Sequence, residues 1–260
     1  MNYIVFDLEF NQNFNCNTED ENIKKNCTNE RNLTFEIIQI GAIKLNENFQ
    51  KVSTFNFLVK PVIHKTLHPY VENMTKIDIN KANSSQEFPE IYKNFINFIG
   101  SDESILCVWG LVDISELINN LNYYKITTDD LPSKYLDIQY HASKLLNYKK
   151  GTRVGLKPAL ELLNINHNDD FHDAFNDAYY TSKIFEKIYN SDMKIQKYNH
   201  SQIPGVKRLK ANKNILDTSA LINQFEKMYN RKMTDEEINI IKTAYTMGRT
   251  HQFLIPKKSK

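Results

Sequence analysis

The sequence predicts an α/β fold built on a sheet of mixed polarity and flanked by helices, and three observations carry that expectation. Residues 3–10, 35–45 and 52–59 are consecutive runs dense in β-forming side chains with no helical segment between them, the pattern of an antiparallel meander. From residue 88 onward the apolar residues recur at helical spacing instead. Two later short apolar runs, 104–109 and 135–138, alternate with helical stretches, giving three antiparallel strands plus two parallel ones.

Each element has its own local reason. The run from Tyr3 to Phe10 is apolar at nearly every position and reads as a strand buried on both faces. A polar stretch, 11–32, reads as a long loop, and Pro61 closes the third strand. Phe88, Ile91, Phe95, Phe98 and Ile99 form a helical stripe that stops at Gly100. After the strand at 104–109, Ile114, Leu117, Ile118 and Leu121 define one helix face. Further helices are expected at 156–163 and 173–189, the latter with Ala178, Phe185 and Ile188 inward and Asp173 as N-cap. Near the C-terminus, Thr218 begins a helix carrying Leu221, Phe225 and Met228. Thr234 and Glu237 form a capping box for another, with Ile238, Ile241 and Tyr245 inward and Gly248 as its stop.

Composition excludes several classes. The 260 residues are 41% hydrophobic and 25% charged, which is globular rather than disordered. No stretch approaches the roughly 20 apolar residues of a membrane span, and without a signal-like leader a cytoplasmic location is expected. Cys16, Cys27 and Cys107 are scattered, lack metal-site spacing, and read as free thiols. The charge is uneven: residues 1–190 hold 19 Lys/Arg against 25 Asp/Glu, whereas 191–260 hold 14 against 6. A body of net −6 with an extension of net +8 suggests a polyanionic partner, with Lys207, Arg208, Lys210 and Lys213 as candidate phosphate contacts. The domains expected are therefore 1–190 and a basic helical extension, 191–260.

Asp7 and Glu9 are the most informative residues. Alternate positions on a strand share a face, so two carboxylates lie side by side in an otherwise core-like segment. Uncompensated, that burial costs several kcal/mol. A hard divalent cation, Mg²⁺ or Mn²⁺, would offset it; the alternative is a strand end where both side chains reach water or a lysine. Asp113 follows the fourth strand, where it reads both as a helix N-cap partnered by Glu116 and as a third acidic ligand. His172 and Asp177 are five residues apart, which places the histidine in a loop and the aspartate on the inward side of the following helix.

Five segments then resemble, in order, the signatures of the DEDDh 3′ to 5′ exonucleases. They are Phe6-Asp7-Leu8-Glu9, Glu36-Ile-Ile-Gln39-Ile-Gly41-Ala-Ile43, Val108-Trp109-Gly110-Leu111-Val112-Asp113, Leu156-Lys-Pro-Ala-Leu-Glu-Leu-Leu163 and His172-Asp173-Ala-Phe-Asn-Asp177. The Trp109-Gly110 pair is most similar to the KapD-like exoribonuclease branch, which includes the enhanced-RNAi nucleases. The resemblance covers about residues 1–190 and implies an RNase H-like fold. It also implies Asp7, Glu9, Asp113 and Asp177 as carboxylates for two Mg²⁺ or Mn²⁺ ions, and His172 as general base. Phe10 and Met74 are implied to pack on the terminal base beside the 3′ hydroxyl. Departures occur at Met74-Thr75-Lys76-Ile77, where many members have Leu-Thr-Gly-Ile, at apolar Leu111 and Val112, and in the long 11–32 run.

The implied chemistry is two-metal phosphodiester hydrolysis: one ion activates water, the other stabilises the leaving 3′ oxygen, and His172 accepts a proton. The implied substrate is the 3′ end of single-stranded RNA or DNA, RNA favoured, and the products are nucleoside 5′-monophosphates. Rival readings are a DNA 3′ to 5′ exonuclease of proofreading or repair type, a catalytically weak binding module that uses the basic extension, and a phosphohydrolase acting on mononucleotides.

Overall fold

The structure is a computed structural model and describes residues 1–12, 33–149, 151–168, 170–198 and 217–249. The chain divides into two compact units, Met1–Val206 and Lys207–Lys260. No helix among the described residues is long and apolar enough to cross a membrane.

The first unit is organised by one sheet with strand order β3-β2-β1-β4-β5-β6. Its strands are β1 (Asn2–Gln12), β2 (Phe35–Leu45), β3 (Lys51–Leu58), β4 (Ser104–Val108), β5 (Lys134–Asp137) and β6 (Gln196–Lys197). β1 to β3 form the expected antiparallel meander, and β1, β4 and β5 run parallel. β6 was not expected: it adds antiparallel to β5, and the neighbouring Tyr198 is buried with its hydroxyl donating to the Leu131 carbonyl at 3.2 Å. Residues just past 190 thus complete the sheet of the first unit.

Flanking this sheet are α1 (Pro69–Thr75), α2 (Ile79–Asn83), α3 (Phe88–Ile99), α4 (Val112–Tyr123), α5 (Ile138–Leu145), α6 (Leu156–Leu162) and α7 (Ala174–Ile188). Strand alternation in β1 sorts the core. Ile4, Phe6 and Leu8 join the cluster containing Phe95 of α3 and Leu117 of α4, whereas Tyr3 and Val5 join that of Tyr180, Ile184 and Phe185 of α7. Asp7 and Glu9 continue the Tyr3–Val5 side, so the acidic pair lies on the face that α7 covers.

Several boundaries differ from expectation for identifiable reasons. β1 runs on through Gln12 because fully buried Asn11 donates to the carbonyls of His64 and Thr66 and accepts from His68 N, which pins that connection. α4 begins at Val112 with Leu111 as N-cap, so Asp113 lies within the first turn rather than at the cap. Its carboxylate accepts from its own backbone N–H and from that of Leu8. Cys107 is a buried free thiol, while Cys16, Cys27 and the four candidate phosphate contacts fall outside the described residues.

The second unit contributes α8 (Thr218–Tyr229) and α9 (Asp235–Arg249). The capping box forms: Thr234 N donates to Glu237 Oε2 at 2.9 Å, and Glu237 N to Thr234 Oγ1 at 3.3 Å. Gly248 lies inside α9 rather than ending it. Tyr245, expected inward, is exposed, as is Met228, and α8 buries no residue. Residues 217–249 hold 5 Lys/Arg and 5 Asp/Glu, so the basic excess of the extension lies in the rest of its sequence.

Lys76, where many members of the resembled family have glycine, is the C-cap of α1 with φ +57°. A left-handed backbone disfavours any side chain, so the glycine common at this position answers a backbone requirement. Lys76→Gly should therefore stabilise the protein by about 1 kcal/mol, read from the midpoint of urea unfolding. An unchanged or lower midpoint would refute the cap assignment.

Candidate active site

The site is assembled where the carboxyl ends of β1 and β4 meet the start of α7. Gly41 of β2 makes this junction possible, since a Cβ there would lie 2.2 Å from the backbone of Ala174 and Phe175. Two further contacts lock the helix start. Gln39 Nε2 donates to Asp173 Oδ2 at 2.8 Å while Gln39 Oε1 accepts from Ala174 N at 3.2 Å, and Asp173 Oδ1 caps the helix through Phe175 N and Asn176 N. His172, just before the cap, has φ +65° and donates its backbone N–H to Asp177 Oδ2 at 3.3 Å.

Glu9, His172 and Asp177 consequently offer ligand atoms that all lie within 4.8 Å of one another. Glu9 and Asp113 are buried, Asp7 and Asp177 half-buried, and His172 exposed at the rim. Asp177 Oδ1 is a buried oxygen with no hydrogen-bond partner among the described residues. All four carboxyls titrate high. Burial first, then the charges of Asp113, Asp177, Glu9 and Asp173, holds Asp7 well above the usual carboxylate range. Burial, reinforced by Asp177, Asp113 and Asp173, raises Glu9 to about 8. Asp113 and Asp177 are raised to about 7, chiefly by burial, even though the N–H groups of Leu8 and His172 favour their ionised forms. Desolvation lowers the His172 imidazole, which therefore stays neutral near neutral pH.

The structure thus brings together Asp7, Glu9, Asp113, His172 and Asp177. An unpartnered buried oxygen and converging carboxyls that resist ionisation form a donor set suited to a hard divalent cation. Phe10 and Met74 are both half-buried. Phe10 follows a register shift in β1 and packs against Phe35 with ring centroids 6.1 Å apart, while Met74 lies on α1 outside the three apolar clusters. Gln39 and Asp173 as a joint clamp were not foreseen. Gln39 lies in a strand that reads as ordinary core, and only its 3% exposure marks it as a buried polar residue in need of a partner.

The sequence matches the model of the RNase T exonuclease family over residues 4–185. The chain belongs to the RNase T exonuclease family. It thus has the enzyme class expected from its sequence, an exonuclease, which hydrolyses phosphodiester bonds. Solved structures share the exonuclease's fold. A 3′-exonuclease, in a structure of 3′-end specific recognition of a histone mRNA stem-loop, is 17% identical, with a TM-score of 0.64 over 77% of this chain and 68% of that one. The nuclease domain of 3′hExo, a DEDDh family member bound to rAMP, is 17% identical with a TM-score of 0.63, over 76% of this chain and 97% of that one. E. coli exonuclease I in complex with a dT13 oligonucleotide is 14% identical with a TM-score of 0.51, over 71% of this chain but 40% of that one. No curated protein sequence matches the exonuclease. The six-stranded sheet is accordingly of the RNase H-like exonuclease type.

The raised carboxyls carry a pH signature. Their folded pKa values exceed the unfolded ones, so they cost nothing below about pH 4 and progressively destabilise the metal-free fold as pH rises through 7 to 8. His172, shifted down, contributes with the opposite slope. The melting temperature of metal-free protein should therefore fall between about pH 5 and 8, and millimolar Mg²⁺ or Mn²⁺ should suppress the fall. Metal-free Asp7→Asn should melt above wild type at pH 8 and gain less from the cation. Identical profiles with and without cation would contradict a metal site.

Proposed function

We propose that the exonuclease removes nucleoside 5′-monophosphates from the 3′ end of single-stranded nucleic acid, RNA in preference to DNA, using two Mg²⁺ or Mn²⁺ ions. The observation that carries this reading is the convergence of Glu9, His172 and Asp177 ligand atoms within 4.8 Å of one another, on a residue, Asp177, whose buried Oδ1 has no partner among the described residues, with the charges of Asp7 and Asp113 nearby. Asp7, Glu9, Asp113 and Asp177 would hold the ions, which supply Lewis-acid activation of water and stabilise the leaving 3′ oxygen.

The chain's own residues do the rest. His172, neutral at working pH and held by its backbone N–H on Asp177, accepts the proton of the attacking water. Gln39 and Asp173 keep that histidine's loop on the sheet. The register shift between Glu9 and Phe10 re-aims the Phe10 ring, which we assign with Met74 to the terminal base. The catalytic domain, expected to end at 190, is assigned together with β6 to the first unit, Met1–Val206, and the basic segment beyond it to polyanion affinity. Trp109-Gly110 ahead of Asp113, together with the likeness to a 3′-exonuclease that recognises a histone mRNA stem-loop, supports the KapD-like, RNA-directed branch. The likeness to exonuclease I with dT13 supports the DNA reading.

Digestion of end-labelled RNA and DNA of matched sequence with Mn²⁺ decides between them: faster release of nucleoside 5′-monophosphates from the RNA is expected, and equal or faster DNA cleavage would overturn the preference. A 3′-phosphorylated strand should be a poorer substrate than one with a free hydroxyl. Asp177→Asn should fold normally, as judged by circular dichroism, yet lose turnover by about 10²-fold or more, because an amide cannot carry the charge that holds the cation. Wild-type rates in that variant would remove Asp177 from the site.

A further inference from the structure

The segment that brings His172 to the site folds back along the first two turns of α7. His172 meets the helix at Asp177, through the backbone N–H already described. Earlier residues of the segment meet it as well. Asn176 Nδ2 donates to the Asp170 carbonyl at 3.1 Å. Tyr180, three residues beyond Asp177, reaches two positions with one hydroxyl: it donates to Asp170 Oδ1 and accepts from Asn168 N, the latter at 3.0 Å. Its ring centroid also lies 5.2 Å from that of Phe171, the residue immediately before the histidine.

A buried phenol needs a hydrogen-bond partner wherever it stands, so the consequence here comes from which partners it finds. The Tyr180 ring is buried in the apolar cluster that α7 shares with the sheet, and its hydroxyl is therefore a fixed point. Asn168, Asp170 and His172 are exposed, and a segment of that kind buries little apolar surface to hold it in one conformation. Yet His172 keeps a left-handed backbone, φ +65°, which a residue other than glycine adopts only where its surroundings impose it. After the histidine, the Asp173 cap and Gln39 impose it. Before the histidine, the Tyr180 hydroxyl does so, with Asn176 beside it. Glu9 and Asp177 are placed by β1 and by α7 themselves, so loosening the segment would move the imidazole and leave those carboxyls where they are.

We propose that Tyr180 is a positioning residue for His172: its hydroxyl fixes the segment ahead of the histidine at Asn168 and Asp170, and so sets where the imidazole stands relative to Glu9 and Asp177. The proposal rests on the function assigned above, in which His172 accepts the proton of the attacking water. Tyr180 acts only through the histidine, with no contact to the substrate and no share in holding the cations.

The test uses the full chain with Mn²⁺ and a single-stranded RNA oligonucleotide. Tyr180→Phe keeps the ring in the core and removes only the hydroxyl. Its kcat should fall about tenfold through misplacement of the base, with KM and the Mn²⁺ concentration for half-maximal rate unchanged. In a His172→Ala background the same substitution should cost nothing more, because the residue it acts through is gone. Asp170→Ala, an exposed change that removes the phenol's acceptor, should act in the same direction and serves where Tyr180→Phe is poorly folded. A second readout is the Cε1–H NMR signal of His172, identified as the one missing from His172→Ala, which should shift or broaden in Tyr180→Phe. Undiminished kcat, a changed Mn²⁺ requirement, equal losses with and without His172, or an unmoved signal would each overturn the proposal. Inactivity of wild type on the strand, or wild-type turnover by His172→Ala, would overturn the proposed function instead, and the NMR signal alone would then decide whether Tyr180 places the ring.

Discussion

The constraint on which the rest depends is the contact between Gly41 and the first residue of α7. A helix packed on a sheet normally keeps its backbone a side chain's width away. Here the backbone of Ala174 lies where any Cβ on residue 41 would be. Because α7 starts so low over β2, His172 and Asp177 reach the level of Glu9 on the neighbouring strand, and Gln39, two residues before the glycine, can grip the helix cap from below. Larger side chains at position 41 would lift the helix and draw the histidine and aspartate away from the strand acids. A metal site with the same residues would then have the right composition and the wrong spacing.

Electrostatics supplies the second half of the design. Burial first, and the neighbouring negative charges second, make the converging carboxyls hold protons to pH 7 or 8. The surrounding core tolerates this because it is otherwise complete, with one apolar cluster on each face of the sheet. Stability is concentrated in the sheet, and the cost of function is localised at one end of it. His172, to which we assign the role of general base, sits on a strained backbone at the rim of this negative well, where its imidazole can meet solvent while its N–H steadies Asp177.

Much of this was legible in the sequence because the relevant signals are local. Runs dense in β-forming residues located the five main strands and helical spacings the longer helices, and Asp7-x-Glu9 announced itself as two charges inside an apolar strand. The less legible features are those in which side chain and backbone trade roles across long sequence separations. Asp113 has the look of an N-cap, but the cap falls at Leu111 and its carboxylate faces Leu8 instead. Asn11 reads as the start of a loop, yet its amide is satisfied by residues more than 50 positions away. Gln39 carries no local mark of its link to Asp173. Short helices such as α1 and α2 escape periodicity arguments because one turn shows too little of a repeat. In α8 and α9 the apolar stripe is genuine, but it does not bury Met228 or Tyr245.

The two-residue β6 has a use out of proportion to its length. Without it β5 would end the sheet with open N–H and C=O groups, an invitation for a second molecule to add its own strand. Gln196 meets Tyr135 both through the backbone ladder and through a 2.7 Å bond to the phenol, while Tyr198 seals the strand from beneath. A chain shortened to the segment that bears the five catalytic signatures would retain every acid and the histidine, yet expose that margin. Its solubility, rather than its chemistry, is what β6 and Tyr198 protect.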